Sequence, residues 1–332
     1  MKRKQVKFVG LVLLLFVAAL GLVACVSARE EGRDPITIGL ITNSTNGLRN
    51  IQGFRDGMAE LDYPESDAVS YLFQGKPVDG EMLDSALQAM LDEGVDLIFT
   101  AGTPTGIAAH RVTAGTDTPG VFGVIADPIN AGVVADLTRP GRNMTGVMLA
   151  ENQGKRLELL LEIAPDIRRI FVPYDPTDAA SVAAMIQLRK VALALNLELV
   201  EGTASSDVEA VALLDNYPDA IDAIFLVPGT IVNARLQLIN AIALRDSLPV
   251  SAPSTLQVEQ GALMTYGFVH YEAGKQAAHI AAQVLNGTPA GEIPIEIAET
   301  YLVINLDTAA AIGLEVPYPI LQQTQFLIYS DE

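Results

Sequence analysis

Short, mostly apolar runs alternate with longer stretches of helical period from residue 36 onward. The runs of the first half are I-T-I-G-L-I (36–41), A-V-S-Y-L-F (68–73), D-L-I-F-T (96–100), G-V-F-G-V (120–124) and T-G-V-M-L (145–149). Between them, N-I-Q-G-F-R-D-G-M-A-E-L (50–61), E-M-L-D-S-A-L-Q-A-M-L (81–91) and T-G-I-A-A-H-R-V-T (105–113) repeat their apolar residues at helical spacing. A run that is apolar at every position suits a strand covered on both faces, and intervening helices supply the cover. The pattern therefore predicts parallel strands in a doubly wound α/β sheet.

The second half repeats the plan. Strands are predicted at 169–172, 197–200, 222–227, 249–252 and 263–267, separated by helical stretches at 178–195, 207–214 and 232–247. Asp96-Leu97-Ile98-Phe99 followed by Thr103 is echoed by Asp222-Ala223-Ile224-Phe225 followed by Thr230. Two α/β lobes of similar build account for this. The tail adds pieces that the second lobe does not need. A helix is predicted over 271–286, then P-I-E-I-A (294–298), a strand Y-L-V-I-N (301–305) and a helix that begins at Asp307 as N-cap. A chain that passes between the lobes more than once accommodates them.

The N-terminus has a different character. M-K-R-K-Q-V-K carries four basic residues and no acid, and 17 apolar residues from Phe8 to Ala24 follow. That is short for a permanent membrane span, which takes about 20 residues, and it fits a secretory signal peptide over residues 1–24. Leu22-Val23-Ala24-Cys25 resembles the lipobox of bacterial lipoproteins, in which cleavage falls before a cysteine that carries the lipid. Cys25 is the one cysteine in the 332 residues, so no intrachain disulfide is open to it. Residues 25–35, small, charged and ending in Pro35, read as a tether. An uncleaved anchor is the other reading, and it too leaves the rest of the chain outside the cytoplasm. Without residues 1–24 the chain has 17 basic and 40 acidic residues, a net charge of −23. Such a surface repels phosphate backbones, which argues against nucleic acid as a partner.

Motifs for chemistry on such a sheet are missing. No G-x-G-x-x-G follows a predicted strand, no G-x-x-x-x-G-K-[ST] occurs, and Gly154-Lys155-Arg156 and Gly274-Lys275-Gln276 lack the flanking residues. There is no G-x-S-x-G elbow. His110, His270 and His279 have no metal-ligand spacing, and neither a cofactor nor a metal is expected. His110 and His279 fall in helical patterns; His270, at a strand end, is a weak binding candidate.

Ligands of open α/β sheets sit beyond the carboxyl ends of the strands. In the first half those positions hold Asn43 and Ser44, Thr103, and Asp127; in the second, Tyr174 and Asp175, Thr230, and Ser254, with Tyr266 and Phe268 after the last strand. Most precede helices, whose free N–H groups can hold a carboxylate without an arginine. N-capping is the plainer role for any single Ser or Thr. Recurrence in both halves, and aromatic surface from Tyr174, Tyr266 and Phe268, favour a shared ligand site.

The ordered set of segments resembles the TrpX-like ABC transporter substrate-binding proteins. The segments are V-I-A-D-P-I-N-A-G-V-V-A-D-L-T-R-P-G-R-N-M-T-G-V (124–147), G-F-R-D-G-M-A-E-L (53–61), D-L-I-F-T-A-G-T-P (96–104), Y-D-P (174–176), G-A-L-M-T-Y-G-F-V-H-Y-E-A-G-K-Q-A-A (261–278) and L-V-I-N-L-D-T-A-A-A-I-G-L (302–314). The resemblance implies a type I periplasmic-binding-protein fold: two Rossmann-like lobes, three hinge crossovers and a cleft that closes on ligand. It implies a first lobe of 36–149 plus 271–292 and a second of 150–270 plus 293–332. By motif position, Thr103, Asp127, Tyr174, Thr230, Ser254 and Tyr266 would face the cleft. The implied function is a lipid-anchored, extracytoplasmic, monomeric receptor without enzymatic activity. It would pass a small solute, with an aromatic amino acid as first choice, to an ABC permease. The chain departs from the family pattern at Ala126-Asp127-Pro128, Tyr174-Asp175-Pro176, Pro140-Gly141-Arg142-Asn143 and 251–255, where selectivity would be set. Two other uses of the cleft stay open: an enzyme with Asp127 and Asp175 as acid–base pair, and a surface sensor feeding a signalling partner.

Overall fold

The alternation of apolar runs and amphipathic stretches resolves into two sheets in a computed structural model that describes residues 35–150 and 152–330. The signal segment, Cys25 and the tether as far as residue 34 lie outside the described residues. The first half forms β1 (Ile36–Thr42), α1 (Thr45–Glu60), β2 (Val69–Leu72), α2 (Leu83–Asp92), β3 (Leu97–Ala101), α3 (Thr103–Val112), β4 (Gly120–Ile125) and β5 (Met144–Met148). Every residue of β3 and β4 is buried, which is why those strands carry no polar alternation. On α1, Ile51, Phe54 and Met58 share one face, and the Phe54 ring stacks on Phe99 of β3 with centroids 3.9 Å apart.

The second half forms α4 (Gln153–Ile163), β6 (Arg169–Tyr174), α5 (Ala179–Ala194), β7 (Glu198–Thr203), α6 (Asp207–Asp215), β8 (Ala223–Phe225), α7 (Leu236–Asp246), β9 (Val250–Ser251), α8 (Thr255–Glu259) and β10 (Met264–Gly267). The tail contributes α9 (His270–Leu285), β11 (Glu296–Ile297), β12 (Tyr301–Asn305), α10 (Leu306–Ala311), α11 (Tyr318–Gln323) and β13 (Phe326–Ile328). The sheets run β11-β5-β4-β3-β1-β2 and β13-β12-β10-β9-β8-β6-β7. Both contain the same ordering of their first five strands, and only the β10–β12 pairing is antiparallel. These are two doubly wound lobes of one design. The short echo at Asp96 and Asp222 is part of it. Asp96 accepts a hydrogen bond from Thr37 N at 2.8 Å, and Asp222 accepts from Arg168 N and Arg169 N, both at 2.8 Å. Each carboxylate thus ties the start of β3 or β8 to the start of its neighbour.

The tail crosses between lobes. Although α9 follows β10 of the second sheet, it packs along α1 of the first lobe. The two backbones approach closely because glycines line the seam: a Cβ on Gly53 would lie 1.9 Å from Tyr271 O, and one on Gly274 would lie 2.0 Å from Asn50 O. Two details differ from the sequence reading. Residues 293–332 were expected in the second lobe, yet β11 pairs in parallel with β5 at the edge of the first sheet. Its Glu296–Ile297 run is too short to carry a pattern of its own, so the edge of β5 decides where it goes. The helix near 307 begins two residues earlier than the pattern suggests. Asn305 is its N-cap, accepting from Thr308 N at 2.9 Å, while Asp307 turns to bind Ser330 N and its hydroxyl.

Candidate ligand-binding cleft

Three short connections join the lobes: residues 149–152 after β5, 268–269 after β10 and 298–300 after β11. Connections this short hold the carboxyl ends of β5 and β10 at the boundary between lobes. Because the neighbouring strands are parallel, their carboxyl ends face that boundary too. This is where an open α/β sheet offers its binding surface, and here two such surfaces meet.

Tyr266 ties the connections together. Asn152 of the first donates through Nδ2 to the Tyr266 carbonyl at 2.5 Å, and Thr300 of the third donates to the Tyr266 hydroxyl at 2.9 Å. A residue expected to stack on a ligand is thus also the hub of the hinge. Phe268, in the second connection, packs on the first-lobe core and meets the edge of the His270 ring with centroids 4.7 Å apart.

The first-lobe wall is built from loop–helix junctions. Asn43 and Ser44 follow β1, and Ser44 caps α1 by accepting from Gly47 N at 3.1 Å. Gly102, at φ 124°, turns the chain into α3, which opens with half-buried Thr103. Such a φ favours glycine because a Cβ would crowd the backbone. Asp127 is exposed and accepts from the backbone N and side chain of Asn130, at 3.0 and 2.5 Å.

The second-lobe wall is less uniform. Asp175 is buried, and its Oδ1 accepts from Thr177 Oγ1 at 2.7 Å and Thr177 N at 2.8 Å. The Thr177 hydroxyl and amide hold that carboxyl below its ordinary range. Thr230 is exposed, and Ser254 at the start of α8 donates to Gln257 Oε1 at 3.0 Å. Tyr174 does not join this wall. Its ring belongs to the second-lobe core, and its hydroxyl lies between Glu201, which accepts from it at 3.2 Å, and Arg189, which donates to it at 3.1 Å. The strand places it inward, and the Arg189–Glu201 pair completes its bonding. Asp127 and Asp175, the acid–base pair of the enzyme alternative, are each engaged by hydrogen bonds within their own turns.

Three contributors carry no motif in the sequence. Arg49 of α1 donates both Nη atoms to the Glu259 carboxylate of α8 at 2.9 Å each, spanning the lobes. The pair borders a crevice of about 260 Å³ shared with His270 at the head of α9. Burial, and then the charge of Arg49, push the His270 imidazole down to about 4. Asn152 is the second. The third is Arg156, on α4 just past the first connection and fully enclosed. Long-range pairs of this kind leave no trace in local spacing. Among the described residues no group of three or more His, Cys, Asp or Glu side chains is placed to hold a metal.

Comparison with known proteins agrees with this architecture. The family model described as "ABC transporter substrate binding protein" matches residues 36–326. A tyrosine-binding protein of Clostridioides difficile is 27% identical over 265 residues, covering 80% of this chain and 76% of the relative. The ligand-free, open structure of a substrate-binding protein with adhesive properties from Clostridium difficile superposes with a TM-score of 0.78 at 24% identity, covering 90% of this chain and 100% of that one. A Streptococcus pneumonia ABC domain in complex with L-Trp gives a TM-score of 0.68 at 21% identity over 88% of this chain and 100% of that one.

Proposed function

Because the chain belongs to the ABC transporter substrate-binding protein family, we propose that it captures an amino acid between its lobes and delivers it to an ABC permease. An aromatic amino acid is the first choice. The observation that carries the reading is the hinge. Two sheets present their carboxyl ends to one boundary, and the first and third connections that cross it are both bonded to Tyr266, at the end of the strand that leads into the second. That construction lets the lobes rotate as rigid bodies about a small pivot, with the ligand as the contact that favours the closed arrangement.

The ligand class rests on the tyrosine-binding relative, which aligns across four-fifths of this chain. Ser44, Thr103 and Asp127 would form the first-lobe side, and Asp175, Thr230 and Ser254 the second. The opening turn of α3, which has no side-chain cap, lies beside them with backbone N–H groups suited to a ligand carboxylate, and Phe268 offers an aromatic face at the hinge. Tyr174 serves as core. Asp127 and Asp175 act as turn-forming and polar groups rather than as catalysts. Substrate-binding proteins of ABC importers work outside the cytoplasm, and a lipid on Cys25 would keep this one at the membrane beside its permease.

Isothermal titration of the chain from residue 35 against the twenty amino acids tests the ligand. Tyrosine or tryptophan is expected to bind with a dissociation constant of about 1 μM or tighter, near −8 kcal/mol. Heats indistinguishable from dilution for all twenty would overturn the amino-acid reading. Incorporation of labelled palmitate into the full chain, lost in Cys25→Ser, tests the anchor; labelling that persists in the variant contradicts it.

A further inference from the structure

Arg156 is 1% exposed and heads the fully buried side chains by volume. Its Nη2 donates to Gln153 Oε1 at 2.8 Å and to Leu226 O at 2.6 Å, and its guanidinium lies 4.0 Å from the centroid of the Phe225 ring. Nε and Nη1 are equally buried and have no hydrogen-bond partner. No carboxylate among the described residues pairs with it. Arg49, Arg55, Arg111, Arg169, Arg189, Arg235 and Arg245, all more exposed, each pair with an acid. In a chain with 40 acidic residues an acid at this position was readily available. Among the described arginines, the one that is enclosed goes without.

Burial lowers the guanidinium to about 9, so it stays charged at neutral pH. A buried charge without a counter-charge destabilises a fold, and an apolar side chain of the same size would serve packing better. Its place suggests what the charge is for. Gln153 opens α4 directly after the first connection, and Leu226 follows the carboxyl end of β8. Strand order in the second sheet reverses between β6 and β8, which makes this the lobe's topological switch point. The loop running from Leu226 to Thr230 is fastened to the first turn of α5, where the Ser181 hydroxyl donates to Pro228 O at 2.6 Å. The fixed charge therefore lies enclosed inside the second lobe, bonded to the first residue of the loop that leaves the carboxyl end of β8, in surroundings of low dielectric that screen it weakly. Elsewhere the net charge of the molecule repels anions.

We propose that Arg156 is a specificity-determining residue: its guanidinium is the counter-charge for the carboxylate of the ligand held at the carboxyl end of β8. The inference rests on the amino-acid reading of the cleft and adds to it the group that recognises the acid end. The aromatic or other side chain is then left to the rest of the wall.

The test compares L-tyrosine with tyramine, which lacks the carboxylate, by titration calorimetry on the wild type, Arg156→Met and Arg156→Lys. Wild type is expected to prefer tyrosine by about 100-fold, the scale of a desolvated charge pair. In Arg156→Met that preference falls to within about threefold while tyramine affinity is unchanged, and Arg156→Lys keeps most of it. A folded Arg156→Met that retains the preference, or loses both ligands equally, shows a packing role and overturns the proposal. Should the methionine variant not fold, Arg156→Lys decides: a kept preference supports the charge, and a lost one in a folded protein overturns it. Wild type that binds neither compound defeats the aromatic reading separately. Native mass spectrometry of retained cargo then decides Arg156, since cargo with an acidic group supports the counter-charge and cargo without one overturns it.

Discussion

At the head of α9, His270 sits against Phe268 and Arg49, and both its enclosure and that neighbouring charge favour the neutral imidazole. Its folded pKa is about 4, below the 6.5 of the free side chain. The unfolded chain therefore binds the extra proton as pH falls through that interval. The stabilisation is complete above about pH 6.5 and is lost progressively toward about pH 4. By linkage the loss between neutral pH and pH 4.5 is about 2 kcal/mol. Denaturant melts at neutral pH and at pH 4.5 check this: His270→Gln is expected to flatten the difference, and an unchanged difference contradicts the assignment. Residue-level roles were only partly legible. His270 stands out in sequence because a strand precedes it, and Ser44 because it precedes a helix. Arg156 does not, because Lys155-Arg156-Leu157-Glu158 reads as an ordinary amphipathic turn and nothing local says which cation faces inward. Tyr174 misled for the converse reason. Aromatic rings at strand ends suit ligands, but the pair that claims its hydroxyl comes from α5 and β7.

Among elements, the α1–α9 seam is the most exacting contact. Gly53→Ala puts a methyl against the Tyr271 carbonyl, a backbone atom that yields only if the helices separate. A loss of about 2 kcal/mol or more is expected in equilibrium unfolding. Gly80→Ala, with no atom within 4 Å of the added carbon, is the control and should stay within about 0.5 kcal/mol. Equal stabilities for the two variants would contradict the close-packed seam. Strands and helices were the most legible level: ten apolar runs in the two halves became β1 to β10, because burial on both faces gives the interior strands a pattern of their own, and the half-exposed edge strands β2 and β7 keep enough of it to be read. β11 was not legible, since two paired residues have no periodicity and take their place from the free edge of β5. The repeated aspartates at 96 and 222 became meaningful only once each was seen holding the neighbouring strand.

For the molecule as a whole, capture between lobes depends on a hinge whose three connections move together. Asn152→Ala removes the bond from the first connection to Tyr266 while leaving both cores intact. It is expected to speed amide exchange in residues 149–152, 266–269 and 298–300 and to weaken ligand binding severalfold, with the unfolding midpoint nearly unchanged. Exchange that speeds up throughout both lobes would instead mark it as a core residue. The Arg49–Glu259 pair also spans the lobes, but its side chains are 51% and 36% exposed, so it contributes at most about 1 kcal/mol to holding them. Two lobes and repeated crossings were visible in the sequence as a duplicated pattern with surplus tail. The hub was not, because Asn152, Tyr266 and Thr300 are far apart in the chain.

Spin labels on cysteines placed at exposed Asn130 in the first lobe and exposed Ala180 in the second, in a chain starting at residue 35, report directly on lobe movement. Pulsed electron–electron distances are measured without solute and then with a saturating mixture of the twenty amino acids. Capture between hinged lobes predicts a distribution that moves to shorter distance and narrows on addition. A distribution that stays the same, with ligand bound, would contradict closure on a solute as the working principle of this protein.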